Sequence, residues 1–182
     1  HAGALAPGMN PLARVAVRIG GRAAVASIVG TDIGFVVGGR IAGASARRFE
    51  PPSYSGGESV GITRYLMSLP DPSPEVIAAV EGSVAWFRAH AIPGIRIESF
   101  TDAEGHRDRR VVQDASAGPQ WARFYDLKTH APIYMGRDSV AHADLASIER
   151  ERRMGYAYVG VWPRALLDDV YPAWRRRQPP RS

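Results

Sequence analysis

The spacing of apolar and polar residues changes period several times along the chain, and each change predicts an element. Ser55 followed by Glu58 has the spacing of a capping box, so a helix is predicted over residues 57–69. Val60, Tyr65 or Arg64, and Met67 or Leu66 fall on alternating sides of it. Pro70, Pro72 and Pro74 then force a tight connection, with Ser73 as N-cap and Pro74 at the first helical position of a second helix. That helix runs to about His90, because Ile77, Val80, Val84 and Phe87 recur at the spacing of one apolar stripe and Pro93-Gly94 follows. The period then drops to two. Residues 95–99 and 110–114 alternate like strands around a charged loop, and residues 123–127 and 133–135 predict a second hairpin turning through residues 128–131. Asp144 can cap a third helix over residues 145–154, closed by Gly155, and residues 174–182 read as a frayed basic tail.

Residues 1–45 obey neither period. They hold one acidic residue, Asp32, and one aromatic, Phe35, and repeated glycines interrupt any helix; only residues 15–19 and 33–37 suggest short strands. This composition suits either out-of-frame reading of GC-rich coding sequence or a divergent N-terminal extension. The chain is therefore divided into an atypical segment, 1–45, a main body, 46–163, and a C-terminal helix or basic tail, 164–182.

Composition narrows the class without choosing a function. A chain of 182 residues with 45% hydrophobic and 23% charged content can bury a core of its own. Without cysteine it can hold neither a disulfide framework nor a thiolate metal site. The apolar stretch 23–39 is broken by Thr31 and Asp32 and is too short to span a membrane, and starting at His1 without methionine suggests a trimmed product or fragment. The net charge is +5, and of 23 basic residues only Lys128 is a lysine. Arg codons of a GC-rich gene explain that bias, yet guanidinium forks also suit bidentate carboxylate recognition on a polyanion. Nucleic-acid binding would rest on charge alone, without a recognisable module. The five histidines show no metal-ligand spacing, and there is no HExxH, P-loop, dinucleotide fingerprint or nucleophile elbow.

One stretch carries more. Residues 46–69 string together Arg47-Arg48-Phe49-Glu50, the extended Pro51-Pro52 segment, Tyr54, the helix start Ser55-Gly56-Gly57-Glu58 and an apolar helix. With Trp86-Phe87, Trp121-Ala122-Arg123-Phe124-Tyr125, Gly136-Arg137-Asp138 and Glu151-Arg152-Arg153-Met154-Gly155-Tyr156, this order closely resembles the C-terminal half of the catalytic module of pectate lyases of polysaccharide lyase family 10, over about residues 46–163. The resemblance implies a mainly α fold, part of an α/α toroid of helical hairpins with short β-hairpins. It implies calcium-dependent β-elimination of α-1,4-polygalacturonate by a secreted or periplasmic bacterial protein, expected to be a monomer that binds an acidic polysaccharide and neither nucleic acid nor membrane.

Carried over residue by residue, the resemblance places the base at Arg47, with Phe49 and Glu50 completing the pattern. A guanidinium is normally charged, so this role needs nearby cations and exclusion of water; stabilising the developing charge, or fixing the loop through Glu50, are the alternatives. Arg48 is expected to point away. Arg137 is expected to grip a substrate carboxylate, against a salt bridge with Asp138 or Asp144. Arg64 is a weaker substrate candidate, against a solvated helix face. Tyr54, Trp121 and Tyr125 could stack on sugar rings, with core packing favoured for Trp121 and Phe124. The carboxylates that would bind calcium lie mainly upstream of Arg47 in the family, where this chain has only Asp32, so no metal ligand is assigned. A non-catalytic polyuronate-binding fragment is the alternative to a working lyase.

Overall fold

The computed structural model describes residues 51 and 53–178, and the backbone of three strands before them. Those strands, β1 (Arg14–Ile19), β2 (Arg22–Val29) and β3 (Asp32–Val36), form an antiparallel meander in that order. Arg47, Arg48, Phe49 and Glu50 lie outside the described residues, as does the end of the chain after Gln178.

The main body opens on an extended segment that leads into α1 (Glu58–Ser68). The N-cap of α1 is Gly57 and not Ser55, but the Ser55 hydroxyl two residues earlier accepts hydrogen bonds from the backbone N–H of Gly57 and Glu58 at 3.1 and 3.0 Å. The Glu58 carboxylate does not complete the box on the Ser55 backbone; it accepts hydrogen bonds from the Ser55 hydroxyl and from an arginine elsewhere in the chain. α1 buries Val60, Ile62, Thr63, Leu66 and Met67 and leaves Arg64 and Tyr65 outside. α2 (Pro74–Ala89) starts as expected, the Ser73 hydroxyl accepting from the Val76 N–H and Pro74 opening the first turn. It buries Ala79, Val80, Ser83, Val84, Trp86 and Phe87.

β4 (Ile95–Thr101) and β5 (Arg107–Gln113) pair antiparallel through Ile95↔Gln113 to Thr101↔Arg107, so the hairpin is longer and its turn tighter than the charged residues suggested. β6 (Trp121–Ala122) pairs with β9 (Val159–Gly160), and β7 (Tyr134–Met135) with β8 (Ala141–His142). The expected second hairpin is short: Asp126 N–H donates to the Ala131 carbonyl, Ile133 N–H to the Phe124 carbonyl, and Tyr125 bridges Pro132, while β6 and β7 take other strand partners. The expected third helix is split into a 3₁₀ turn, Leu145–Ser147, and α3 (Arg150–Gly155), with Ile148 buried at the break and no side-chain cap from Asp144. A π turn, Leu166–Val170, runs into α4 (Tyr171–Arg175). Residues 174–178 are not frayed: Trp174 is 2% exposed and Arg175 pairs with Glu81 of α2 at 2.7 Å.

The expectation of a mainly α fold belonging to an α/α toroid is therefore corrected. Among the described residues two longer helices stand beside small antiparallel pairings, a mixed α and β fold. The physical reason lies in residues 91–144, where β-branched and aromatic residues alternate between Pro, Gly and Asp turn signals and offer no helical stripe long enough to bury.

Two clusters fill the interior. The larger joins α1, α2, β6 and α4 through Leu66, Val80, Phe87, Trp121, Tyr125, Leu166 and Trp174. The smaller holds Phe124, Tyr134, Leu145, Ile148 and Tyr158. Tyr125 belongs to the larger cluster and is pinned at its polar end: its hydroxyl donates to the His90 carbonyl and accepts from the Ala122 N–H, both at 2.9 Å. Burial pushes the pKa of that phenol up. Replacing Tyr125 by Phe leaves both backbone groups without their partner, and the expected loss is about 1–3 kcal/mol of unfolding free energy, read from urea denaturation.

Candidate functional site

Tyr54 is held by backbone pairing before α1 begins. Its N–H donates to the Tyr125 carbonyl at 3.0 Å and its carbonyl accepts from the Tyr125 N–H at 2.9 Å. Two residues on, a Cβ at Gly56 would lie 2.3 Å from the Ala122 carbonyl oxygen, so only glycine lets the segment lie this close to β6. The half-buried Tyr54 ring meets Trp86 at 5.7 Å and His130 edge-on at 4.9 Å. Trp121, Phe124 and Tyr125 are core residues, at 1%, 6% and 1% exposure, which leaves Tyr54 as the accessible ring of that group.

The same pairing aims Glu58 at Arg123. In Trp121-Ala122-Arg123-Phe124-Tyr125 the residues on either side of Arg123 are buried, so its side chain has to run outward along the protein. Its guanidinium is ion-paired to Glu58, stands 4.5 Å over the Tyr156 ring, and has a buried Nε without a hydrogen-bond partner. Arg152 approaches the Tyr156 ring too, at 5.6 Å, while donating to the Met135 carbonyl at 3.2 Å and the Tyr158 hydroxyl at 2.7 Å. Tyr158 in turn donates to the same Met135 carbonyl at 2.7 Å. Tyr156 stacks on Phe124 at 6.0 Å and is half-buried. No role fell to Arg123, Arg152 or Tyr156 on sequence grounds; the outward-pointing arginine between buried aromatics was the available signal.

Two residues beyond Met135, Arg137 sits on the exposed turn between β7 and β8, where Ser139 adopts a positive φ of 64°. Its partner is neither Asp138 nor Asp144. Nε donates to a Glu151 carboxylate oxygen at 2.9 Å, Nη2 bonds the other oxygen, and the backbone N–H of Arg137 donates to Glu149 at 2.9 Å. The hydrogen bond from Arg137 holds the Glu151 carboxyl below its ordinary pKa and raises that of the guanidinium. Asp138 instead faces His142 at 2.9 Å and caps the turn through the Val140 N–H. Arg64 lies on the exposed face of α1 with no ion pair among the described residues.

α3, which supplies Glu151 and Arg152, is fixed to the β4–β5 hairpin by a bidentate pair. Arg153 Nε and Nη2 meet the two oxygens of Asp108 at 2.9 and 2.5 Å, and Asp108 is 8% exposed. The Arg153 hydrogen bond is the main cause of a lowered Asp108 pKa.

Calcium, the ion the resemblance implies, finds no fitting donor set among the described residues. Among the described residues, Asp102, Glu104 and His106 at the β4–β5 turn bring three donor atoms within 4.8 Å of one another. Asp102 already accepts from the His106 N–H at 2.7 Å and faces Arg150 at 3.5 Å, and one donor is an imidazole. Calcium requires six to eight oxygen ligands, so this set does not fit it.

The family model for pectic acid lyase matches residues 39–167. The chain belongs to the pectic acid lyase family. Among solved structures, the family 10 polysaccharide lyase from Cellvibrio cellulosa is 30% identical, with a TM-score of 0.60 over 72% of this chain and 40% of that one. An aspartate-to-alanine variant of that enzyme in complex with trigalacturonic acid matches equally, at 30% identity and a TM-score of 0.60 over 71% of this chain. The chain thus spans about two-fifths of the length of these relatives. No curated protein matches. Within this pectic acid lyase chain no described helix is long and apolar enough to cross a membrane.

Because Asp108 has a lowered pKa in the folded protein, its contribution is fully present above the unfolded carboxyl value of ~3.9 and is lost as pH falls through the depressed folded value. Asp108→Asn is expected to lower the urea midpoint at pH 7, and the gap to wild type is expected to close as unfolding is repeated toward pH 3.

Proposed function

We propose that this chain forms the arginine-bearing part of a pectate lyase that cleaves α-1,4-linked polygalacturonate by β-elimination. The supporting observation is the row formed by Arg123, Tyr156 and Arg152, with Arg137 on the exposed turn two residues beyond the Met135 carbonyl that Arg152 bonds. Such a row offers planar cations for the carboxylate each sugar carries. Family membership and the relative's complex with trigalacturonic acid support the same class of ligand.

In this reading a base takes the proton from C5 of a galacturonate unit. The electron pair spreads toward the adjacent carboxylate, then forms the C4–C5 double bond as the 4-linked oxygen departs. Catalysis needs cations placed where the carboxylate gathers charge. Arg137 is suited to this because its present partner is an exposed carboxylate on a surface pair, and exchanging Glu151 for a uronate carboxylate costs little. Arg123 holds its guanidinium over the Tyr156 ring, where it could be shared between Glu58 and a ligand. Arg47 is the proposed base on the strength of the motif around it. Calcium, a location outside the cytoplasm and a monomeric state are part of the same proposal; no donor set among the described residues fits calcium, so no step is assigned to it.

The test is incubation with polygalacturonate and calcium while following the ultraviolet absorbance of the new double bond. Wild type is expected to produce absorbance growth and Arg47→Ala to abolish it. Arg137→Ala is expected to lower kcat/KM by ~10–100-fold, the worth of a charge-assisted bidentate contact. Binding of the polymer without any growth would replace this reading by a non-catalytic polyuronate-binding module.

A further inference from the structure

Outside that row, the structure brings together two histidines that sequence spacing kept apart. His90 closes the C-terminus of α2, and His130 ends the turn over residues 126–130. His90 Nε2 and His130 Nδ1 are 3.1 Å apart. We propose that this pair is a chelating site for a divalent transition metal of the zinc, nickel and copper group.

The argument starts from the other nitrogen of His90. Nδ1 lies 2.9 Å from the Trp86 carbonyl oxygen, which can only accept, so Nδ1 carries the hydrogen and Nε2 presents a lone pair outward. This arrangement, a ring nitrogen tied to a backbone carbonyl behind the free one, is what orients metal-ligating histidines. Without metal, His130 Nδ1–H donates to that lone pair. His130 can change tautomer, its proton moving to Nε2, and a rotation of the rings that turns both lone pairs from each other toward a common point lets them meet one ion with no net change in protons. A tetrahedral ion with bonds of ~2.0–2.1 Å sets its two nitrogens roughly 3.3 Å apart, so the pair need open by only a few tenths of an ångström.

Both rings are held from separate elements. Trp86 stacks on His90 at 4.5 Å and 20°, and the Tyr54 ring meets His130 edge-on at 4.9 Å. The His130 backbone, at a φ of 55°, is clamped by its N–H bond to the Asp126 carbonyl at 3.0 Å, while Asp126 Oδ1 caps the N–H groups of Lys128 and Thr129. Pre-positioning removes much of the ordering cost of chelation. Both histidines are half-buried. Neutral imidazoles favour borderline transition metals, whereas calcium takes oxygen ligands.

The experiment is titration of the whole chain with Zn²⁺ by calorimetry, and with Cu²⁺ by tryptophan fluorescence. Expected is a saturable one-to-one event, unaffected by millimolar Ca²⁺, with Cu²⁺ quenching that Trp86→Phe diminishes. His130→Asn tolerates the positive φ, and His90→Gln keeps a polar cap; each is expected to weaken Zn²⁺ binding by at least ~10–100-fold, the loss that removing even an outer-shell partner brings. His106→Ala is expected to bind as wild type. Absence of saturable binding, undiminished binding in His130→Asn, or loss of binding in His106→Ala would overturn the proposal. Should His90→Gln fail to fold, the His130→Asn result decides alone. No uronate enters the titration, so its outcome is independent of the lyase assay.

Discussion

The pairing of Tyr54 with Tyr125 is the constraint on which the described surface depends. Two backbone hydrogen bonds of 3.0 and 2.9 Å hold an otherwise irregular segment against the protein, and Gly56 keeps it in contact with Ala122. That contact fixes where α1 starts, and the start of α1 fixes where Glu58 points. Tyr125 in turn is secured through its hydroxyl to His90 and Ala122, so the C-terminus of α2 and strand β6 share one anchor. A shift in this register would move Tyr54, Glu58, Arg123 and His90 together, because each is tied to it by a named bond.

The arginines divide by how their partners are solvated. Arg153 and Asp108 are largely removed from water, and their bidentate contact holds α3 to the hairpin; exchanging either partner would leave a charge without compensation. Arg137 and Glu151 are both at least half exposed, and such pairs contribute little net stability. The first pair is structural and the second can be opened by a competing anion at small cost. Arg123 is intermediate, since its guanidinium rests on an aromatic face while its end meets a half-exposed Glu58. A buried, stabilising pair and an exposed, exchangeable pair thus fall to different arginines of the same short region, 123–153.

Local signals made part of this legible. The Ser55 hydroxyl bonds, the Ser73-Pro74 start and the stripe Val80, Val84, Phe87 depend on neighbours within a turn or two, and both long helices follow them closely. The split of residues 145–154 was not legible, because Ile148 leaves the helix to fill a cluster built from distant Phe124, Tyr134 and Tyr158. The docking of Trp174 was hidden for the same reason: a basic tail reads as solvated unless its aromatic residue has a hole to fill on α2. The toroid expectation came with the resemblance and not from periodicity, and the β-rich middle of the chain decides against it. At the surface, Arg137 stood out in sequence but its Glu151 partner did not, since fourteen residues and a strand turn separate them. Arg123 and the histidine pair depend on contacts across 65 and 40 residues, a separation that no short-range pattern reports.

The electrostatics also bear on what a base arginine must avoid. Arg137 and Arg153 each bond a carboxylate, and in both the guanidinium becomes harder to deprotonate. An arginine that accepts a proton needs the opposite surroundings, with cations close by, carboxylates engaged elsewhere and water kept out. In this chain the carboxylates near the arginine row are already engaged: Glu58 by Arg123, Glu151 by Arg137, Asp108 by Arg153. A uronate entering that row would be surrounded by cations, with Glu151 alone released from its pair in exchange. Glu50, three residues from Arg47, is the acidic group whose placement then matters most. Bonded to Arg47 it would hold that guanidinium charged and confine it to stabilising the carboxylate; bonded elsewhere it would leave Arg47 in the cationic surroundings that the role of base requires.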